Sequence, residues 1–334
     1  MNYYIQKTDE SQQNKAGSIT EIDGRYYDMF ADCDKSFYDV SRSLKEAGIK
    51  NYYFMFEIKN PKVAALDPYS KDLSDYQKIS IVTEIHENMW YFLRILRYKI
   101  DGKMDGRYIL TRGLAAACWN FLQNRNFYLC DNRQTYKTTG LLAGPMLWSF
   151  ISSYNRSMAI DSEFSSDSRR NLSRFKDIME CLPDYIHNVV SMNESKLLCN
   201  RSKIVSALLH NRIEVLPGAE TAEAAKNVTL DCSLDTILID DAEYISFFST
   251  IFESMLPSVA LGKSVAKGTG CIMMTSTTNF DYSLDGRLIP DLLIPWSEKM
   301  YDETKERIDR YMEKYMNQSN RIIPALYLDY RINM

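Results

Sequence analysis

Lys137 followed by Thr138 opens a helical stretch just past a short strand at 126–130. That arrangement can hold the phosphates of a nucleotide. Loop N–H groups and a helix N-terminus attract anions, a lysine there reaches the β- and γ-phosphates, and the next hydroxyl can bind Mg²⁺. The general spacing, GxxxxGK followed by Ser or Thr, places glycine at 131 and 136, where this chain has Asp131 and Tyr136. Further along, TILIDDAEYI puts Asp240 and Asp241 directly after four buried-strand residues, and CIMMTSTTN is an apolar strand ending in the hydroxyls of Thr275, Ser276 and Thr277. Each unit has a plainer reading: acids can cap a following helix, and a strand can simply end in a turn. The order of the three units is the stronger signal.

The elements that position these residues follow from spacing. Residues 1 to about 30 are polar and weakly periodic. From Lys35 to Gly48, Phe37, Val40 and Leu44 predict a short amphipathic helix ending at glycine. Aromatic density predicts a strand over 51–58, and apolar spacing a helix over 80–98, followed by a turn at 101–106. Helices are expected at 114–122, 138–152, 166–181 and 244–256, and strands at 126–130, 156–162, 236–239 and 271–275. Two short extended segments lie between 196 and 216, and a charged helix over 296–318 precedes a strand-like piece at 325–330. Alternating strands and helices predict an α/β core with a parallel sheet.

Composition narrows the class. Apolar residues are 45% and charged residues 25% of the 334, the balance of a globular protein with a sizeable core. No run is long and apolar enough for a membrane span, and the first residues lack a signal-peptide pattern, so the chain is expected to stay where it is made. Seven Cys without CxxC spacing read as reduced thiols, and three His without paired spacing argue against zinc. A net charge of −4 argues against passive coating of nucleic acid, while leaving room for a local basic track at Arg169, Arg170, Arg174 and Lys176. A solvated helix face explains that cluster equally well.

The run NRQTYKTT at 132–139 resembles the SRQxGKTT phosphate loop of the large terminase subunits of tailed phages. ENMWYFLRI at 87–95 is similar to the NPxYFFRxI stretch ahead of that family's motor. FSSDSRRNLSRFKDIMECLPDYI resembles its post-loop helix, GAETAEAAKNVTLDCSLDTILIDDAEYI the segment entering its acidic motif, and TSTTN its TTTPN coupling motif. The resemblance spans roughly residues 85–330.

The resemblance implies a P-loop NTPase of ASCE type, with a mostly parallel sheet between helices and a small helical lid subdomain. Residues 1–85 would form the N-terminal region and lid elements, 86–298 the ATPase core, and 299–334 a helical tail packing with the lid. It implies ATP and Mg²⁺ as cofactors. Lys137 and Thr138 would bind phosphate and Mg²⁺ within a loop completed by Arg133, Gln134, Thr135, Tyr136 and Thr139, with Arg133 as finger or sensor toward the γ-phosphate. Asp240 would hold Mg²⁺ through water, and Asp241 takes the place of the catalytic Glu, with Glu243 a nearby substitute. Thr275, Ser276 and Thr277 would couple hydrolysis to movement. The implied partners are double-stranded DNA, a portal protein, a small terminase subunit and further copies in a ring, in the host cytoplasm and transiently at the procapsid portal, with no membrane.

Four positions depart from the family pattern. Tyr136 replaces a glycine that lets the backbone approach the phosphates, Asp241 is one methylene shorter than Glu, Thr278 replaces a proline, and KNVTLDC at 226–232 lacks an arginine and a glycine. The sequence past the motor is too short for the RNase H-like nuclease of the family, which would be encoded elsewhere as a separate domain or subunit, removed, or dispensed with. A catalytically weakened terminase-like scaffold or regulator is the alternative reading, and a helicase-like translocase a third.

Overall fold

A computed structural model describes residues 19–29, 31, 33–100, 103–131, 136–186, 197–206, 208–229, 233–266, 270–277 and 323–324. The expected tail helix over 296–318 and the strand-like piece at 325–330 lie outside these residues.

Near the N-terminus, strands β1 (Ile19–Ile22), β2 (Arg25–Asp28) and β3 (Glu57–Ile58) form a small antiparallel sheet. A hairpin of β4 (Arg97–Ile100) and β5 (Lys103–Arg107) stands apart from it. The main sheet contains β6 (Phe127–Asp131), β7 (Ser157–Ser162), β8 (Leu197–Cys199), β9 (Lys203–Ser206), β10 (Asn211–Val215), β11 (Thr236–Asp240), β12 (Ile272–Thr277) and β13 (Ile323–Pro324). Its order is β13-β6-β12-β11-β7-β10-β9-β8. The first six of these strands run parallel, and β9 and β8 continue the sheet antiparallel. The fold is mixed α/β, with a mainly parallel sheet between helices.

Side chains alternate across the sheet, and both faces are covered, which is why the central strands read as continuous apolar runs. Phe127, Leu129, Met158, Ile160, Leu238 and Met273 pack on one face with the helices Arg112–Leu122 and Ser165–Met179 and the helical stretch 137–152. Tyr128, Ala159, Ile237, Ile239, Ile272 and Met274 pack on the other with the helix Phe248–Ala266. The first cluster also takes in Phe37, Val40 and Leu44 of the helix Lys35–Glu46, so the N-terminal segments share its core.

Several elements differ from expectation. The aromatic run at 51–58 is a 3₁₀ turn, Phe54–Phe56, followed by the two residues of β3. Phe54, Met55 and Phe56 are all buried, and continuous burial gives an apolar run whichever backbone carries it. The helix expected over 80–98 is two helices, Asp75–Glu87 and Met89–Ile95, broken at Asn88, whose side chain caps the second by accepting from Tyr91 N. Its C-terminal end is strand β4, and residues 103–106 of the expected turn belong to its partner β5. The 196–216 region holds three strands instead of two. The helix expected over 244–256 starts at Phe248, after a 3₁₀ turn at Ala242–Tyr244, and continues through Pro257 to Ala266.

Candidate nucleotide and metal site

Strand β6 delivers the chain to Asp131, and Arg133, Gln134 and Thr135 lie outside the described residues. The backbone re-enters at Tyr136 with φ 60° and ψ 11°, as N-cap of the helix Lys137–Leu141. This left-handed conformation costs a tyrosine about 1–2 kcal/mol relative to its ordinary backbone, and the ring is 49% exposed. Tyr136 thus adopts the backbone region a glycine prefers and turns its side chain out. Burial, with a smaller push from Tyr136, raises the Tyr98 phenol to about 12. Lys137 is 6% exposed.

Close packing fixes where this helix begins. A Cβ on Gly140 would come within 2.5 Å of Leu114 Cδ1, so the absence of a side chain lets the helix approach Arg112–Leu122. Pro145 removes one donor from the helical ladder, and the chain accommodates it with a π-helical turn at Leu142–Met146, where Leu147 N donates to Leu142 O. The Tyr108 hydroxyl donates to Gly140 O at 3.1 Å.

Asp240, at the end of β11, is the centre of the site. Thr138 Oγ1 and Thr275 Oγ1 each donate to Asp240 Oδ1 at 2.6 Å, and Asn171 Nδ2 donates to Oδ2 at 2.8 Å. The sequence-predicted Thr138, Asp240 and Thr275 therefore meet. The order of the sheet explains why: β12 lies between β6 and β11, so its Thr275 stands beside both. Asp241 follows at φ 51°, also left-handed, with its N–H donating to Thr275 Oγ1 at 3.2 Å. The fully buried Thr275 hydroxyl thus uses its one proton on Asp240 and a lone pair on Asp241.

The other expected residues are placed differently. Ser276 faces the opposite side of the sheet, where its hydrogen bond partly offsets the rise that burial imposes on the Tyr128 phenol. Glu243 is buried, and its charge adds to the rise at Tyr128. Thr139 is half-buried in the first helical turn. Thr277 pairs with Asp131 through the β12–β6 ladder.

A polar cleft of about 210 Å³ opens beside Asp240 and Asp241, with Ser162, Asn171, Arg170 and Arg174 in its walls. Glu243 lies outside this lining. The basic cluster splits: Arg170 pairs with Asp167, Arg174 Nη1 donates to Asn171 Oδ1 at 3.4 Å, Lys176 pairs with Glu180 at 3.5 Å, and Arg169 is exposed. Next to Ser162, Asp161 is 3% exposed, and burial raises its carboxyl to about 7, with the bond from Ser162 N pulling the other way.

Thr138 and Asp240 offer a hydroxyl and a carboxylate oxygen in contact, hard donors of the kind Mg²⁺ takes alongside substrate phosphates and water. Among the described residues, no group of three or more His, Cys, Asp or Glu is arranged to hold a metal. The residues present fit an ion held by a hydroxyl, one carboxylate and its own nucleotide. Mg²⁺, when bound, supplies charge neutralisation at the phosphates.

Sequence reasoning missed Asn171 and Ser162. Asn171 carries a readable signal, being the amide within the buried stripe Ser168, Leu172, Phe175, Ile178 and Met179 of an amphipathic helix. Ser162 carries none beyond its place at the end of a strand.

No protein-family model matches this chain, and no curated protein does. The chain is similar to several solved structures. An ATPase-domain mutant of the Thermus phage P74-26 large terminase aligns at 17% identity and a TM-score of 0.36, over 52% of this chain and 66% of that one. The large terminase of a thermophilic bacteriophage aligns at 12% identity and a TM-score of 0.36, over 64% of this chain and 44% of that one. The P74-26 ATPase domain in its unmutated form aligns at 14% and 0.34, over 63% and 86%. This chain therefore spans less than two thirds of the first two. These three solved structures are two ATPase domains and a large terminase, all from phages.

Proposed function

We propose that this chain is the ATP-hydrolysing motor domain of a phage large terminase, which translocates double-stranded DNA into a procapsid. The observation that carries the reading is the 2.6 Å bond between Thr138 and Asp240, 102 positions apart. It joins the hydroxyl after the phosphate-loop lysine to the acid ending β11, two strands along the sheet from β6, the two protein groups an Mg²⁺–nucleotide complex requires. Lys137 would bind the β- and γ-phosphates, Thr138 and Asp240 the metal, and Arg133, Gln134, Thr135, Tyr136 and Thr139 the rest of the phosphates. Asp241 would orient the attacking water, and Thr275, Ser276 and Thr277 would carry the response to hydrolysis. DNA contacts would go mainly to phosphates and be insensitive to sequence. The motor would work as a ring on a portal protein, with a small terminase subunit and a nuclease domain or subunit as further partners, in the host cytoplasm.

The test is ATP turnover by the full chain, with and without DNA and portal, alongside Lys137→Ala and Asp240→Asn. Turnover should fall by at least about 100-fold in each variant, the scale of losing a preorganised electrostatic stabiliser. Turnover that survives both changes would sink the reading.

A second reading, a terminase-like scaffold or regulator with a weakened site, is favoured by two observations. Tyr136 occupies a left-handed position in the loop, and Asp241 brings a shorter side chain to a left-handed turn. Nucleotide binding without turnover, even with DNA and portal present, would support it.

A further inference from the structure

We infer that Asn171 is a positioning residue for Asp240, and that Arg174 locks its amide from the cleft. The inference rests on the reading of Asp240 as a metal-binding carboxylate.

The terminal torsion of an aspartate is soft and broadly populated, so one hydrogen bond does not fix its plane. Here both oxygens are held. Thr275 donates to Oδ1 and Asn171 to Oδ2, from opposite flanks of β11. Neither bond uses Thr138, so both can remain when that hydroxyl turns to an ion, and the carboxylate keeps its plane. Asn171 suits the task because it is 4% exposed and reaches Asp240 across 69 positions.

An amide can itself turn over, exchanging donor for acceptor. Arg174 removes that freedom. It sits one helical turn on, on the same face of Ser165–Met179, and donates from Nη1 to Asn171 Oδ1. A guanidinium only donates and a carboxylate only accepts. Turning the amide over would set NH₂ against guanidinium and oxygen against carboxylate, and both contacts would become repulsive. The order Arg174, Asn171, Asp240 therefore has one satisfactory orientation.

The experiment titrates Mg²⁺ against the full chain at fixed N-methylanthraniloyl-ATP, reading the half-saturating Mg²⁺ concentration, with the ligand-free melting temperature measured in parallel. Asn171→Ala changes no charge and should raise half-saturation about 10–100-fold, the usual cost of removing a partner of a metal ligand. Arg174→Ala discriminates further. Removing a cation from the cleft would by charge alone tighten Mg²⁺ binding, whereas loss of the lock loosens it; we expect a rise of about threefold or more, an order-of-magnitude figure below the direct-partner range, with Arg174→Lys intermediate.

A lower melting temperature with unchanged half-saturation in Asn171→Ala would show a merely structural role and overturn the inference. Tighter Mg²⁺ binding in the half-exposed Arg174→Ala overturns the lock, and that variant decides the matter if Asn171→Ala does not fold. A wild-type chain that binds no nucleotide with Mg²⁺ overturns the proposed function and this inference with it. Wild-type binding with both variants unchanged overturns this inference alone.

Discussion

Thr275 donates its hydroxyl to Asp240 Oδ1 at 2.6 Å while accepting the Asp241 N–H, so one buried group ties the Asp240 carboxylate to the Asp241 backbone. Thr275→Val keeps the β-branched shape and removes the hydroxyl. It should cost about 1–3 kcal/mol, because the Asp241 N–H loses this acceptor and Asp240 Oδ1 keeps only one of its two donors. Chemical denaturation of the full chain measures this, and an unchanged midpoint would show that water replaces the hydroxyl.

Tyr136→Gly should leave the fold nearly as stable as before. Glycine removes about 1–2 kcal/mol of left-handed strain and gives back about 0.5–1 kcal/mol in unfolded-chain entropy. The loop also loses a Cβ and ring beside Lys137. The expected result is an equal or higher melting temperature and tighter binding of a fluorescent ATP analogue. A less stable, more weakly binding variant would mean that the ring contributes contacts, for which its neighbour Tyr98 is the partner to examine.

Asp161 predicts a pH dependence. Its carboxyl is raised by burial to about 7, from an ordinary value of 3.8. The folded state therefore holds this proton where the unfolded chain has released it. The stability so gained is fully present below pH 3.8 and is lost as pH rises to about 7, above which the protein carries a buried charge. Asp161→Asn should stabilise the chain above pH 7, by about 1–3 kcal/mol, and by progressively less as the pH falls toward 3.8. Melting curves of both proteins between pH 4 and 8, acidic enough to bracket the shift, would refute this if the difference stayed constant.

Gly140→Ala brings a methyl within 2.5 Å of Leu114 Cδ1 and 2.7 Å of Leu114 Cδ2. Leu114 is fully buried and has little room to withdraw. Overpacking should cost about 1–3 kcal/mol, offset in part by the better helix propensity of alanine. Combining it with Leu114→Ala should recover part of the loss, and strictly additive effects in that double-mutant cycle would argue against the clash.

The sheet was legible where strands are buried on both faces. The apolar runs before Asp131, Asp240 and Thr277 are β6, β11 and β12, and their ends carry the acids and hydroxyls expected there. The order of these strands, by contrast, is a tertiary fact that no local pattern encodes. Misreadings arose where burial and backbone period part company. Phe54–Phe56 is dense in aromatics but turns as 3₁₀, and Asn88 interrupts an apolar period because its side chain caps a new helix. At the site, Thr138, Asp240 and Thr275 were identified by their positions after strands. Asn171 was not, since its role depends on a partner 69 positions away.

The bonds to Asp240 close loops of 102, 69 and 35 residues. Each closure carries an entropic cost before any contact repays it, one that rises only slowly with loop length, and non-local pairing is slow to form. The contacts around this carboxylate should therefore form only once β7, β11 and β12 have paired. A compact intermediate with its helices in place would still lack the geometry to accept a nucleotide. Binding competence would then appear together with the last, slowest phase of refolding, and could serve as its reporter.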